Sequence, residues 1–272
     1  MSSHRSDTLF AGSVPELYDT HLVPLIFEPY AADLAARIAL RPMERVLEIA
    51  AGTGVLTRAM ASALPEAVSI LATDLSQPMI DYAKAAGTKR PVEWRKADAM
   101  ELPFEGGMFD AVLCHFGVMF FPDKSRAYAE VLRVLRPGGL FSFNVWDRIE
   151  ENEFADTVTT ALETLFSADP PRFLARIPHG YHDHETIQRD LARGGWTALP
   201  NITTLAARSR AHSFTIPAIA YCQGTPLRNE IMALDRSALG EATHVAAEAI
   251  AHRFGRGRVD GKIQAHIVTI EK

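Results

Sequence analysis

The sequence predicts an α/β protein: a doubly wound, Rossmann-like sheet of about seven strands, mostly parallel with an antiparallel last strand. N-terminal helices precede the sheet, and helical additions sit in the C-terminal half. Three observations predict this. From residue 45 to 147, short apolar runs alternate with stretches of helical periodicity, joined by short links. The first run, VLEIAAGTG (46–54), leads through Gly52 and Gly54 into a helical pattern, the strand, glycine turn and helix of nucleotide-binding sheets. Near the C-terminus, IQAHIVTI (263–270) alternates like a final strand.

The elements follow in order. Residues 14–40 carry apolar residues at helical spacing, with Pro24 and Pro29 as interruptions, and Arg41-Pro42 ends the helical stretch. Residues 45–50 form the first strand and 55–64 the first crossover helix, closed by Pro65. VSILATD (68–74) is the second strand. Ser76 is placed to cap a helix reaching about Ala86, with Pro78 in the first turn, where a missing N–H costs little. VEWRKAD (92–98) is the third strand and Phe109–His115 the fourth. A helix starts at Asp123 and stops at Arg136-Pro137-Gly138-Gly139 before the fifth strand, LFSFNVWD (140–147). Beyond this the pattern loosens. A helix is expected at 153–166, another at 183–194, a sixth strand at 198–209, and a mostly helical stretch at 215–254 broken near Gly224–Pro226. The expected organisation is a helical cap (1–42), a cofactor-binding core (43–147), and a region completing the sheet with substrate-side insertions (148–272).

Composition excludes several classes. The 272 residues are 47% hydrophobic and 22% charged, which is ordinary for a globular chain. A net charge of −5 and the lack of a long basic run argue against a nucleic-acid partner. Cys114 and Cys222 are too few for a disulfide framework or a four-ligand zinc site, so no metal is expected. The N-terminus lacks the apolar run of a secretory signal, and the longest apolar run, AVLCHFGVMFF (111–121), is too short to span a bilayer. A cytoplasmic homodimer is the expected setting.

Glu48, Asp74 and Asp98 fall at the C-terminal ends of the first three strands, on the sheet edge where ligands bind. A carboxylate at Asp74 can accept both hydrogens of a ribose diol. Asp98 can accept from an exocyclic amine such as that of adenine. Glu48, just before the glycines, would repel a pyrophosphate and balance a cation. A ribose, an adenine and a cation together describe S-adenosylmethionine. Each acid alone is more simply a helix cap or a loop charge; the three with the glycines on one edge are harder to obtain by chance.

Residues 44–147 resemble the class I S-adenosylmethionine-dependent methyltransferases, in the small-molecule branch of the ubiquinone/menaquinone (type 11) enzymes. The resemblance rests on VLEIAAGTG, LATDLSQPMIDYA (71–83), ADAMELPFEGGMFDAVLCHFGVMFFPD (97–123) and VLRVLRPGGLFSFNVWD (131–147), in that order. It implies Glu48, Gly52 and Gly54 along the methionine part of the cofactor, and Asp74 on the ribose. It implies Leu75 and Met79 beside the adenine, Asp98 and the Ala99 backbone on the adenine edge, and the Cys114 backbone near the amino end. Ala50 departs from the pattern, standing where the family has its first glycine.

On the acceptor side the candidates are His115, which follows the fourth strand, and Tyr18; in similar proteins an N-terminal helix bearing a Tyr covers the cofactor. Trp146 and Asp147 are candidate pocket walls. HGYHDH (179–184) is rich in histidine but lacks a ligand-like spacing, and a solvated loop is expected there. Two rival functions are weighed. A nicotinamide-dependent oxidoreductase needs GxGxxG, but Thr57 stands where the third glycine belongs, and Glu48 opposes a pyrophosphate. A non-catalytic S-adenosylmethionine-binding protein is the other. An amino-methylating nucleic-acid enzyme is disfavoured, because CHFG (114–117) replaces the Asn-Pro-Pro-Tyr type of motif.

Overall fold

The computed structural model describes residues 14–272, so the reading of the extreme N-terminus lies outside the described residues. Seven strands form one sheet in the order β3-β2-β1-β4-β5-β7-β6. They are β1 (Arg45–Glu48), β2 (Ser69–Asp74), β3 (Glu93–Lys96), β4 (Phe109–His115), β5 (Leu135–Trp146), β6 (Asn201–Ala211) and β7 (Val259–Glu271). The pairs from β3 to β5 are parallel, while β7 runs antiparallel to both β5 and β6. The sheet order reverses between β1 and β4, and in open α/β sheets ligands gather at such a switch point.

The helices are α1 (Val14–Leu17), α2 (Glu28–Ala39), α3 (Val55–Ala63), α4 (Gln77–Ala86), α5 (Lys124–Val134), α6 (Glu153–Leu165), α7 (Phe173–Arg176), α8 (His184–Arg193), α9 (Thr215–Gln223), α10 (Leu227–Leu234) and α11 (Leu239–Phe254). A π-helical stretch, Tyr18–Phe27, joins α1 to α2. The sequence reading expects Pro24 to interrupt here. Instead Pro24 lies inside the π-helix, exposed, while Leu22, Val23, Leu25, Ile26 and Phe27 are buried. The wider turn gives the pyrrolidine ring room, and burial of the flanking side chains holds the segment helical. Pro29 occupies the first turn of α2.

The chain divides into two compact units: residues up to Phe27 with Trp146–Gly180 and Ala206–Gln264, and Glu28–Val145 with Tyr181–Leu205 and Ala265–Lys272. The second holds the regular β-α alternation. On one face of its strands, Val46, Ile70, Ala111, Leu113 and Leu140 pack with Leu34 and Ile38 of α2 and Leu56 and Met60 of α3. Each fully buried aliphatic side chain contributes about 1.5–3 kcal/mol. On the other face, Tyr128 of α5 packs on Phe141 and Phe143 at ring distances of 5.7 and 5.6 Å, and Trp196 packs on Phe141 at 5.9 Å. Within the first unit, Phe154 of α6 meets Phe254 of α11 edge-on at 4.9 Å, and Arg253 bridges to Asp156 at 3.1 Å.

One boundary and one helix cap differ from expectation for physical reasons. Arg136-Pro137-Gly138-Gly139 does not precede the fifth strand; β5 begins at Leu135 and bulges there, since Phe109 pairs with Leu135 and Ala111 with Leu140. Gly138 takes a left-handed φ of 72°, and its N–H donates to the Lys272 carbonyl. The second is Ser76. It is the N-cap of α4, but its hydroxyl makes no cap bond; its backbone N–H donates to Asp74 instead.

Candidate active site

The C-terminal end of β1 and its turn form the centre of the site. Ala50, Gly52 and Gly54 alternate in the left-handed region, with φ of 55°, 57° and 83°. Gly54 has no room for a side chain: a Cβ there would lie 2.9 Å from the Trp94 ring and 3.3 Å from Ala83. A Cβ at Gly52 would meet nothing within 4 Å, so that position is open on its outer side. Ala50, the departure from the family pattern, adopts the conformation a glycine takes freely, at a cost of about 1–2 kcal/mol. Alanine at this position bears the backbone strain of the turn.

Glu48 is completely buried. Thr57 Oγ1 donates to its Oε2 at 2.5 Å, whereas Oε1 has no hydrogen-bond partner among the described residues. Thr57, which breaks the dinucleotide pattern, thus serves the carboxylate. Burial pushes the Glu48 carboxyl up to about 8; the Thr57 hydrogen bond opposes the shift and the Asp74 charge adds to it. Thr73 Oγ1 donates to the Glu48 carbonyl at 2.9 Å, tying β2 to β1. Sequence reasoning missed these threonines, because hydroxyls in apolar strands and helices are common.

Asp74 ends β2 and grips the glycine turn. The Gly52 N–H donates to Oδ2 at 2.8 Å and the Ser76 N–H to Oδ1 at 2.7 Å. Burial raises its carboxyl, while the N–H groups of Ser76, Gly52 and Leu75 lower it. Each oxygen keeps a further lone pair. Leu75, next in the chain, is 57% exposed. Met79, by contrast, is 4% exposed on the inner side of α4 and offers almost no surface. Asp98 sits beyond β3, where one oxygen accepts the Met100 N–H at 2.8 Å. Ala99 is half-buried beside it.

At the end of β4, Cys114 is fully buried and burial pushes its thiol far up, so it stays protonated and inert. Cys222, pushed up to about 12 by burial, is equally inert. His115 Nδ1 lies 3.1 Å from Asn144 Oδ1. The Phe116 ring stands edge-on to His115 at 4.7 Å and to Tyr30 at 5.5 Å, on a backbone with φ of 53°. A bulky residue in that region is strained, and such strain gathers at functional sites. Gly117 allows the strand ends to meet, since a Cβ there would lie 2.5 Å from the Ala50 Cβ and 2.7 Å from the Cys114 Sγ.

Tyr18, Trp146 and Asp147 belong to the other compact unit. There Tyr18 packs on Phe27 at 5.3 Å, and Trp146 is buried between Phe27 at 5.7 Å and His179 at 5.9 Å. The expectation of a solvated HGYHDH loop is corrected in part. His179 and Tyr181 are buried, because His179 Nδ1 bonds the Asp147 carbonyl at 2.8 Å and the Tyr181 hydroxyl donates to Asp190. Asp183 caps α8 through the Thr186 N–H, and only His182, Asp183 and His184 retain substantial exposure apart from Gly180. Among the described residues, no group of three or more His, Cys, Asp or Glu is arranged to hold a metal ion.

A family described as "Methyltransferase domain", type 11, matches residues 47–143. The ubiquinone/menaquinone biosynthesis C-methyltransferase UbiE of Ralstonia pickettii is 32% identical over 172 residues, 59% of this chain and 70% of that protein. The demethylmenaquinone methyltransferase of Lactiplantibacillus plantarum is 38% identical over 107 residues, 38% of this chain and 45% of that one. Among solved structures, the YcgJ protein of Bacillus subtilis shares the fold, with a TM-score of 0.57 at 17% identity, over 90% of this chain and 98% of that chain. The chain belongs to the class I S-adenosylmethionine-dependent methyltransferases, in the type 11 branch.

Proposed function

We propose that this chain transfers the methyl group of S-adenosylmethionine to a small-molecule acceptor by in-line displacement, releasing S-adenosylhomocysteine. The observation that carries this reading is Glu48: a fully buried carboxylate with one unpartnered oxygen, beside a glycine turn whose outer side is open. A buried unpaired carboxylate is costly and suits a cationic ligand. It does not suit a pyrophosphate, which weighs against the nicotinamide alternative.

When bound, S-adenosylmethionine supplies a methyl group already activated on a sulfonium sulfur. Glu48 balances the cationic amino end, where Gly52, Gly54 and the Cys114 backbone also lie. The remaining lone pairs of Asp74 accept the ribose hydroxyls. Leu75 covers the adenine, with Met79 behind it, and Asp98 with Ala99 reads its edge. Ala50 shapes the turn. Alignment and exclusion of water do most of the work for such a transfer, and the buried walls around His115 suit that task. His115, at the end of β4, serves the acceptor side. The core at 43–147 holds the cofactor and residues 148–272 carry the acceptor contacts. The same reading keeps the protein in the cytoplasm, as a homodimer with no nucleic-acid partner.

Titrating S-adenosylhomocysteine into the wild-type chain and a Glu48→Gln variant tests the proposal. The variant is expected to bind at least about tenfold more weakly, about 1.4 kcal/mol, while keeping its fold. Equal affinity would remove Glu48 from the site.

A further inference from the structure

Asn144 is a polar residue inside the apolar run LFSFNVW of β5, and it is completely buried. It pairs in register with His115 on β4. Glu48 pairs with Leu113, and Leu113 with Ser142, so two residues further along His115 and Asn144 share one sheet face with Glu48. Asn144 Oδ1 stands 3.1 Å from His115 Nδ1. A carboxamide oxygen carries no hydrogen, so the hydrogen of that bond belongs to Nδ1, and Nε2 keeps the ring's lone pair. Asn144 Nδ2 has no hydrogen-bond partner among the described residues. An apolar side chain would serve a buried strand better, so the amide is retained at a cost to stability. On its other side His115 is held by the ring of the strained Phe116.

We infer that Asn144 is a positioning residue that locks His115 in the Nδ1–H tautomer, presenting Nε2 as the general base for an acceptor that loses a proton on methylation. The acceptor class is then a hydroxyl, an N–H or an acidic C–H, and not a tertiary amine or a thioether. As the acceptor atom bonds to the methyl carbon, the carbon–sulfur bond breaks and its electron pair stays on sulfur. The acceptor's proton passes to His115 Nε2, and Asn144 Oδ1 steadies the resulting imidazolium through Nδ1–H. The acceptor class rests on the methyl-transfer reading above; the tautomer does not.

Two measurements on the full chain test this. Side-chain nitrogen NMR of histidine-labelled protein, with His115 assigned by its loss in His115→Gln, reads the tautomer. Wild type is expected to show Nδ1–H, Asn144→Leu to move toward Nε2–H, and Asn144→Asp to retain Nδ1–H. An Nε2–H tautomer in wild type, or no change in Asn144→Leu, overturns the inference. In the second, tritiated S-adenosylmethionine is incubated with wild type and the small-molecule fraction of a bacterial extract. Label in methoxy, N-methyl or C-methyl products, lowered at least about tenfold in Asn144→Leu and restored in Asn144→Asp, supports it. Label chiefly in quaternary ammonium or sulfonium products overturns it. Correct tautomers with no wild-type transfer at all overturn the acceptor class through failure of the methyl-transfer reading itself.

Discussion

At the scale of single residues, Glu48 and Asp74 carry different burdens. Glu48 is held protonated by burial in the empty protein, with its carboxyl pushed up to about 8. Its folded value lies above the unfolded one, so between the two the unfolded chain has released a proton that the folded chain keeps. Stability of the ligand-free protein is therefore expected to fall as pH rises from about 4.5 towards 8, and Glu48→Gln should flatten that slope in denaturant melts. A variant with the wild-type slope would contradict this. A cation binding at Glu48 favours its ionised form, so binding should release a proton near neutral pH, visible as a buffer-dependent heat. Asp74 is also structural, since it accepts N–H groups from Gly52 and Ser76. Asp74→Ala is expected to weaken S-adenosylmethionine binding by at least about tenfold and to destabilise the fold by about 1–3 kcal/mol. A loss of stability of that size with unchanged affinity would assign it to structure alone.

At the scale of elements, the strand-end turns of β1 and β4 are coupled through Gly117. A Cβ there collides with the Ala50 Cβ and the Cys114 Sγ. Gly117→Ala is expected to cost about 1–3 kcal/mol. In an Ala50→Gly background that cost should shrink by about 0.5 kcal/mol or more, because one of the two collisions is gone. Strict additivity in chemical denaturation would show that the turns do not touch. This coupling was not legible in the sequence, since Gly117 lies more than sixty residues from Ala50. The strands themselves were legible: buried parallel strands read as apolar runs, and all seven lie at or near their expected places. What escaped depended on tertiary partners. The β5 bulge needs the Lys272 backbone, the π-helix at Pro24 needs its buried flanks, and Asn144 acquires meaning only opposite His115.

At the scale of the whole molecule, the fold supports cofactor binding but does not choose an acceptor, because many chemistries share this scaffold. Glu48, Asp74 and Asp98 lie in the unit of regular β-α alternation, which the family match also covers. The other unit, with Tyr18, Trp146 and His179, carries no such strand-end acid motif among its described residues. Among the described residues, no helix is long and apolar enough to cross a membrane.

The central claim is that a cationic adenosyl cofactor, not a pyrophosphate, binds at VLEIAAGTG. Calorimetric titration of the wild-type chain with S-adenosylmethionine, and separately with NADH, tests it most directly. The account predicts saturable binding of S-adenosylmethionine, close to one per chain, and none of NADH. Tight NADH binding with no heat from S-adenosylmethionine would contradict it.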